Sequence, residues 1–252
     1  MDERMTDWST LTDACGSAEH VRGLLDRFAA DPSGAWSEVM DHLCPQLDTA
    51  FPASYAALPR LAEIATACSP DDLAWVLLAA GAITSCSPGL SEPDSPLAIN
   101  SAPIGVLHHL TDHLLSQGAF EAEDYLNLLQ ALLSFEGVET WDRCLDGLAS
   151  GEYEVDCPYC GVNVFIVIGQ DESFACSDDY ALGEVEKTPL QPTRTQLLDG
   201  LPWRLSTRAT ADGQRNVAHG IAYLFGRAAC PDCGTDFSVA ERVVASHGAR
   251  LG

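Results

Sequence analysis

Basic residues are scarce in this chain of 252 residues, in which 13 Lys and Arg stand against 37 Asp and Glu. Lys187 is the only lysine, and the formal net charge is −24 at pH 7. Binding to the backbone of a nucleic acid depends on clustered Lys and Arg, and the sequence shows no such cluster. We therefore expect a protein partner with a basic surface and consider nucleic acid an improbable ligand. The alternative is an acidic surface that only keeps the protein in solution.

Long apolar runs are also missing. The most apolar stretch, Leu73 to Ile83, is too short to span a bilayer and predicts a buried helix. The first residues, Met1 to Asp7, lack the basic start and apolar core of a secretion signal. We therefore expect a cytoplasmic protein without a membrane span, in which cysteines remain reduced. A hydrophobic fraction of 46% excludes a wholly disordered chain.

Two five-residue segments of the chain are nearly identical. Cys157 to Gly161 has the sequence Cys-Pro-Tyr-Cys-Gly, and Cys230 to Gly234 has the sequence Cys-Pro-Asp-Cys-Gly. Two residues between cysteines allow both thiolates to face one ion. The proline fixes φ at the turn, and the glycine accepts the positive φ that closes it. We call these segments the first and second knuckle.

Together the two knuckles predict a structural Zn²⁺ bound by Cys157, Cys160, Cys230 and Cys233. Four sulfur ligands leave no coordination position for water, which disfavours a catalytic metal. An iron centre of the rubredoxin type would use the same ligands and remains an alternative. The other cysteines are scattered through apolar segments and are predicted to be free thiols that behave as small hydrophobic residues. These are Cys15, Cys44, Cys68, Cys86, Cys144 and Cys176.

The chain changes character near residue 150. Residues 1–150 contain 23 acidic and 5 basic residues, whereas residues 151–252 contain 14 and 8. We expect a mainly α fold with a small α+β part. An acidic domain of stacked antiparallel helices would span 1–150, and a split zinc ribbon would span 151–252. Residues 1–16 are predicted to be a loose lead-in, 85–101 a loop, and 138–149 a helix.

The distance between Cys160 and Cys230 exceeds the usual spacing within a zinc ribbon. The strand predicted at Val162 to Ile168 is rich in β-branched residues, and helical patterns follow at about 197–210 and 213–225. We interpret the region between the knuckles as an inserted strand pair and helical hairpin. A long inserted loop adds little to the entropy cost of closing the site.

Residues 35–84 resemble bacterial HEAT- or armadillo-like helical proteins. The features that carry this resemblance are Trp36 and Leu43, followed by the segment Pro52 to Leu61 and a helix containing Trp75. Similar stretches occur in uncharacterised bacterial proteins, some of which resemble immunity proteins of toxin systems. The knuckles resemble zinc ribbons in general. Neither resemblance implies catalytic residues.

Two further groups of residues are weaker candidates for a site. His109 and His113 are spaced to share one helix face, a spacing that can bind metal, but Leu110 replaces the glutamate of the metalloprotease motif. The acidic segment 171–179 surrounds Cys176, which is either a reactive thiol or a buried strand residue. Ordinary helix histidines and a solvated loop are the simpler interpretations.

Three functions are consistent with these features. The favoured one is a non-enzymatic protein-binding module, which includes immunity-type recognition of a basic partner, because stacked helix pairs form extended binding surfaces. The second is an enzyme that uses His109, His113, Asp178 or Asp179 at a site between the helical half and the insertion at 161–229. The third is a regulator of nucleic acid, which would need a basic stripe. The arginines available for that stripe are Arg194, Arg204, Arg208 and Arg215.

Overall fold

The computed structural model describes residues 6–87 and 95–250, with the side chains of 248–250 left out of the description. The chain divides into two compact units. The N-terminal unit contains Met1–Gly118 and Asn127–Arg143, and the C-terminal unit contains Ala119–Leu126 and Cys144–Gly252. None of the described helices has the length and apolar character needed to cross a membrane.

The predicted fold class, mainly α with a small α+β part, is confirmed, since helices account for 57% of the structure and the sheets are small and antiparallel. The helices are α1 (Val21–Ala30), α2 (Pro32–Leu43), α3 (Pro52–Ala67), α4 (Pro70–Ser85), α5 (Pro96–Ile99), α6 (Ser101–Gln117), α7 (Ala122–Phe135), α8 (Asp146–Ser150), α9 (Gly200–Ala211), α10 (Arg215–Leu224) and α11 (Val239–Arg250). The strands are β1 (Thr12–Asp13), β2 (Gly16–Ser17), β3 (Glu152–Asp156), β4 (Asn163–Ile168), β5 (Ser173–Cys176), β6 (Thr188–Pro189), β7 (Arg227–Ala229) and β8 (Asp236–Ser238).

Successive helices of the N-terminal unit pack in neighbouring pairs, α1 with α2 and α3 with α4, and α3 also contacts α1 and α6. Local sequence sets where these helices begin. The side chains of Asp31 and Ser69 cap α2 and α4, and each cap is followed by a proline at the first helical position. Leucines with no exposed surface, including Leu43, Leu58 and Leu77, fill the space between the helices. Burial of this apolar surface is the main force that holds the helices together.

Three expectations for the N-terminal half need correction. Residues 12–17 form a short hairpin, β1–β2, where a loose lead-in was expected, and the side chain of Asp13 within it is buried. The helix expected at 138–149 is mostly turns, because Gly137 and Thr140 adopt positive φ values of 69° and 74° that end a right-handed helix. Part of the loop expected at 85–101 is helical, since α5 begins at Pro96, and residues 88–94 lie outside the described part.

The C-terminal unit contains an antiparallel sheet in the order β3-β4-β5-β6 and a separate hairpin, β7–β8. A bridge between Gln191 and Arg227 joins the chain after β6 to the hairpin, with two backbone hydrogen bonds of 2.9 Å. The strands β5 and β6 and the paired helices α9 and α10 all lie between the two knuckles in sequence. Strand β4 lies there too and pairs antiparallel with β5, so these two strands form the strand pair that the sequence predicted. The paired helices α9 and α10 are the predicted hairpin, and β6 lies in a region where a loop was expected.

A small polar network lies in the interior of the C-terminal unit. The fully buried Tyr125 donates a hydrogen bond of 2.9 Å to Asp212 Oδ2, and Arg208 Nε donates to the same oxygen. Burial raises the pKa of Tyr125 above its usual value, and the adjacent carboxylate adds to this effect. The tyrosine therefore stays protonated and acts as a donor that compensates for the burial of Asp212.

A close contact between two helices of the N-terminal unit depends on a glycine. A Cβ atom added at Gly81 in α4 would lie 2.5 Å from the Cβ of Ala131 and 2.9 Å from its Cα. Gly105 in α6 provides a contrast, because a Cβ atom added there would meet no atom within 4 Å. The two glycines lie in helices of the same unit and differ mainly in the space around them.

We predict that the same substitution has opposite effects at these two positions. Gly81→Ala should destabilise the protein by about 1–3 kcal/mol, because the added methyl group forces two helices apart. Gly105→Ala should increase stability by up to about 1 kcal/mol, because alanine favours the helix and meets no obstacle. Denaturant unfolding of both variants would measure these changes. Equal stability of the two variants would contradict the packing described for α4 and α7.

Candidate metal centre

Each knuckle is the turn of a β-hairpin. The first knuckle joins β3 to β4, whose last paired residues are Asp156 and Asn163. The second joins β7 to β8, whose last paired residues are Ala229 and Asp236. The first cysteine of each knuckle therefore follows a paired strand residue directly, and the strands hold both ends of the turn in place.

The two turns have the same backbone hydrogen bonds. In the first knuckle the amide of Cys157 donates to the carbonyl of Val162 at 2.9 Å, and the amide of Gly161 donates to that of Cys157 at 3.0 Å. In the second knuckle Cys230 donates to Thr235 and Gly234 donates to Cys230, both at 2.9 Å. Gly161 and Gly234 have φ values of 74° and 70°, the left-handed conformation that glycine adopts without strain.

The structure brings the four predicted ligands together, although Cys160 and Cys230 are 70 positions apart in the sequence. Cys157 Sγ lies 3.7 Å from Cys233 Sγ, and Cys160 Sγ lies 3.7 Å from Cys230 Sγ. All four sulfur atoms lie within 4.8 Å of one another. A tetrahedron with metal–sulfur bonds of about 2.3 Å has sulfur–sulfur edges of about 3.8 Å. The sulfur positions therefore fit a four-coordinate metal ion.

The thiols of this centre differ in their surroundings. Cys157 and Cys230 are buried, whereas Cys160 and Cys233 are exposed. Desolvation raises the pKa of Cys230 to about 12, whereas the hydroxyl and backbone of Thr235 lower the pKa of Cys233 to about 6. A metal binds thiolates, so binding must displace the proton that Cys230 otherwise keeps. Metal affinity should consequently fall as the pH is lowered.

The acidic segment 171–179 lies close to the second knuckle without supplying a ligand atom. Ser177 Oγ donates a hydrogen bond of 2.6 Å to Asp232 Oδ1, and Asp232 stands between the two cysteines of that knuckle. Glu172 pairs with Lys187 at 2.5 Å, and Asp178 and Asp179 are exposed. Cys176 is fully buried in β5, as expected for a strand residue. Burial also raises the pKa of its thiol above the usual value, which disfavours a reactive nucleophile.

The histidines singled out from the sequence lie on α6 in the N-terminal unit. His109 and His113 are exposed, and their ring centroids are 6.4 Å apart in a stacked arrangement. They do not belong to a group of three ligand-type side chains within the described residues. Asp178 and Asp179, named with them in the enzyme hypothesis, belong to the C-terminal unit.

The arginines considered for a basic stripe are partly neutralised. Arg208 forms an ion pair of 2.5 Å with Asp212, and the side chains of both residues are largely buried. Arg194, Arg204 and Arg215 are exposed. The charge of Arg208 is therefore not available to such a stripe.

A second cluster of ligand-type side chains was not apparent from the sequence. Asp13, His20 and His42 converge in the N-terminal unit, with one ligand atom of each within 4.8 Å of the others. Their positions share no motif and no helical spacing. No local signal in the sequence identifies them, because tertiary folding alone brings them together.

No known family model matches the chain, and neither a curated protein nor a solved structure matches it significantly. The chemistry of this protein must therefore be inferred from its own side chains.

Two of the remaining cysteines form a close thiol pair in the N-terminal unit. Cys44 Sγ and Cys86 Sγ lie 3.4 Å apart. The hydrogen bond with Cys44, together with the positive charge of Arg143, lowers the pKa of Cys86 to about 7. The same hydrogen bond and burial raise the pKa of Cys44 well above its usual value. In the singly ionised pair the proton therefore stays on Cys44, and Cys86 is the thiol that ionises near neutral pH.

We predict that Cys86 is alkylated much faster near neutral pH than Cys68, which is also partly exposed but whose pKa is raised by burial. Iodoacetamide reacts with the thiolate, so the rate at Cys86 should rise with pH around a midpoint near 7. Peptide mapping by mass spectrometry would give both rates. Cys44→Ala should raise the pH at which alkylation of Cys86 is half-maximal. An unchanged midpoint would show that the hydrogen bond from Cys44 does not lower the pKa of Cys86.

Proposed function

We propose that the protein is a non-enzymatic protein-binding module, stabilised by a structural Zn²⁺ and directed by its acidic helical half to a partner with a basic surface. Masking the basic surface of a toxin, as an immunity protein does, is a concrete form of this function. The observation that carries the zinc proposal is the convergence of four sulfur atoms within 4.8 Å of one another. The observation that carries the partner proposal is the charge of residues 1–150.

A structural role for the metal follows from its ligands. Four cysteines occupy all four positions of a tetrahedral ion and leave none for water or substrate. The ion would link two hairpins that belong to distant parts of the chain. We propose zinc rather than iron, and metal analysis together with a visible absorption spectrum distinguishes the two, since Zn²⁺ is colourless.

The acidic surface supports recognition of a basic partner. Of the few cationic side chains in the N-terminal unit, Arg27 is paired with Glu38 at 2.5 Å, and Arg60 is paired with Asp26 and Glu63. Many carboxylates there face the solvent. Exposed examples along the first helices are Asp26, Asp31, Glu38, Asp41, Asp48, Glu63 and Asp71. Such a surface attracts basic proteins and accelerates their association at low salt.

We predict that Cys230→Ser releases the metal and unfolds residues 151–240, whereas the helices of the N-terminal unit persist. Structural zinc contributes about 10–16 kcal/mol in small domains, which is comparable with or larger than the whole stability of a typical domain. Metal analysis, circular dichroism and limited proteolysis would measure the outcome. Cys68→Ser is the matched control and should keep the metal.

Retention of a full equivalent of metal by the Cys230→Ser variant would contradict the four-sulfur centre. Loss of nearly all helix would instead show that the helices of the N-terminal unit depend on the metal as well.

A second prediction concerns the partner. The triple variant Asp48→Asn, Glu63→Gln and Asp71→Asn removes exposed negative charge from the N-terminal unit. The unmodified chain should capture basic proteins from a native lysate at low salt. This variant should no longer capture them. The matched control removes the same charge from the C-terminal unit through Glu184→Gln, Glu186→Gln and Asp199→Asn, and should retain them.

Electrostatic recognition by the helical half would be excluded if the same proteins were captured at low and high salt and also by the Asp48→Asn, Glu63→Gln, Asp71→Asn variant. The absence of any captured protein at low and high salt would count against the binding function itself.

A further inference from the structure

Three ligand-type atoms form a small triangle in the N-terminal unit. Asp13 Oδ2 lies 2.8 Å from His42 Nδ1 and 3.0 Å from His20 Nε2, and the two nitrogen atoms lie 3.0 Å apart. The side chain of Asp13 has no exposed surface, whereas those of His42 and His20 are 22% and 45% exposed. One side of the triangle is therefore closed by protein and the other is accessible to solvent.

The backbone holds the three residues in place. Asp13 ends the strand β1, His20 directly precedes α1, and His42 lies in the last turn of α2. The amide of Ala14 donates a hydrogen bond of 3.1 Å to the carbonyl of His42, which ties the hairpin to the end of α2. The amide of Cys15 donates to Asp13 Oδ1 at 2.9 Å and orients the carboxylate so that Oδ2 faces the imidazoles. A hydrogen bond of this kind to the outer oxygen is typical of carboxylates that bind metals.

Hydrogen bonds alone cannot account for all three contacts. A ring nitrogen is either a donor or an acceptor, and an ionised carboxylate is only an acceptor. If both nitrogens donate to Asp13, their own contact of 3.0 Å joins two donors. If one nitrogen donates to the other, the accepting nitrogen faces the carboxylate oxygen without a proton between them. Every arrangement of ring protons therefore leaves at least one repulsive contact beside a buried carboxylate.

A cation that accepts a lone pair from each atom removes this conflict. Zn²⁺ binds histidine nitrogen and carboxylate oxygen at about 2.0–2.2 Å. At that distance from all three atoms, an ion would lie about 1.1–1.4 Å outside their plane, at the apex of a three-sided pyramid. Three protein ligands would leave one coordination position for water. This arrangement differs from the four-sulfur centre, which is closed.

We propose that Asp13, His20 and His42 form a second metal site, which binds a divalent transition-metal ion of the Zn²⁺ class. Mixed imidazole and carboxylate ligands suit Zn²⁺ and its neighbours in the first transition row and are too rich in nitrogen for Ca²⁺ or Mg²⁺. The site is independent of the four-sulfur centre, because all of its ligands belong to the N-terminal unit.

The test is a Co²⁺ titration of the full chain whose four-sulfur centre is already filled with zinc. Co²⁺ bound to nitrogen and oxygen ligands should give visible bands without the sulfur-to-metal charge transfer of a thiolate site. The double variant His20→Gln, His42→Gln should lose these bands. Its affinity should fall by more than the roughly 10–100-fold that loss of an outer-shell partner causes. The matched control His109→Gln, His113→Gln removes two exposed histidines from the same unit and should bind as the unmodified chain does.

Equal binding by the His20→Gln, His42→Gln variant and the unmodified chain would overturn the proposal. To separate metal binding from any change in folding, a second measurement uses only the unmodified protein. Addition of Zn²⁺ should shift the ring resonances of two of its 7 histidines in the NMR spectrum. These two should be His20 and His42, and unchanged resonances for both would equally overturn the proposal.

Discussion

Four sulfur atoms that lie within 4.8 Å of one another are the constraint on which the C-terminal unit depends. They come from two hairpin turns with the same backbone hydrogen bonds, and a long insertion separates the turns in sequence. Without an ion, four thiols would have to share this small space, and one of them keeps its proton well above neutral pH. A metal ion bound there would convert this unfavourable cluster into a cross-link between the hairpins, and folding of the unit and metal affinity would then be two aspects of one equilibrium.

The two clusters of ligand-type side chains in this protein differ in how many coordination positions they would leave open on a bound metal ion. The sulfur cluster is completed by four protein atoms and has no free position, which fits a role in stability. The triangle of Asp13, His20 and His42 has a closed side and a solvent-accessible side, which leaves an ion there able to exchange ligands. A protein-binding function for the acidic surface does not exclude chemistry at the second cluster.

The features that the sequence predicted well are local. The proline and glycine of each knuckle specify a turn by their own backbone preferences, and the β-branched residues of β4 specify a strand. The triangle was missed because its members are brought together by tertiary packing from positions without a common period. The prediction of a helix at 138–149 was wrong for a further reason: Gly137, just before this range, and Thr140, within it, adopt left-handed conformations that apolar periodicity cannot reveal. The resemblance of residues 35–84 to HEAT-like proteins remains a prediction.

The long insertion has a consequence for the integrity of the chain. Its segment from Asp178 to Glu184 is almost entirely exposed and connects two strands of one sheet. A protease that cuts there would separate the polypeptide into two pieces, each carrying one pair of the metal's ligands. An ion held between the pairs would keep both pieces together after cleavage. A nicked molecule would then look intact by size until a chelator was added, when its halves would come apart.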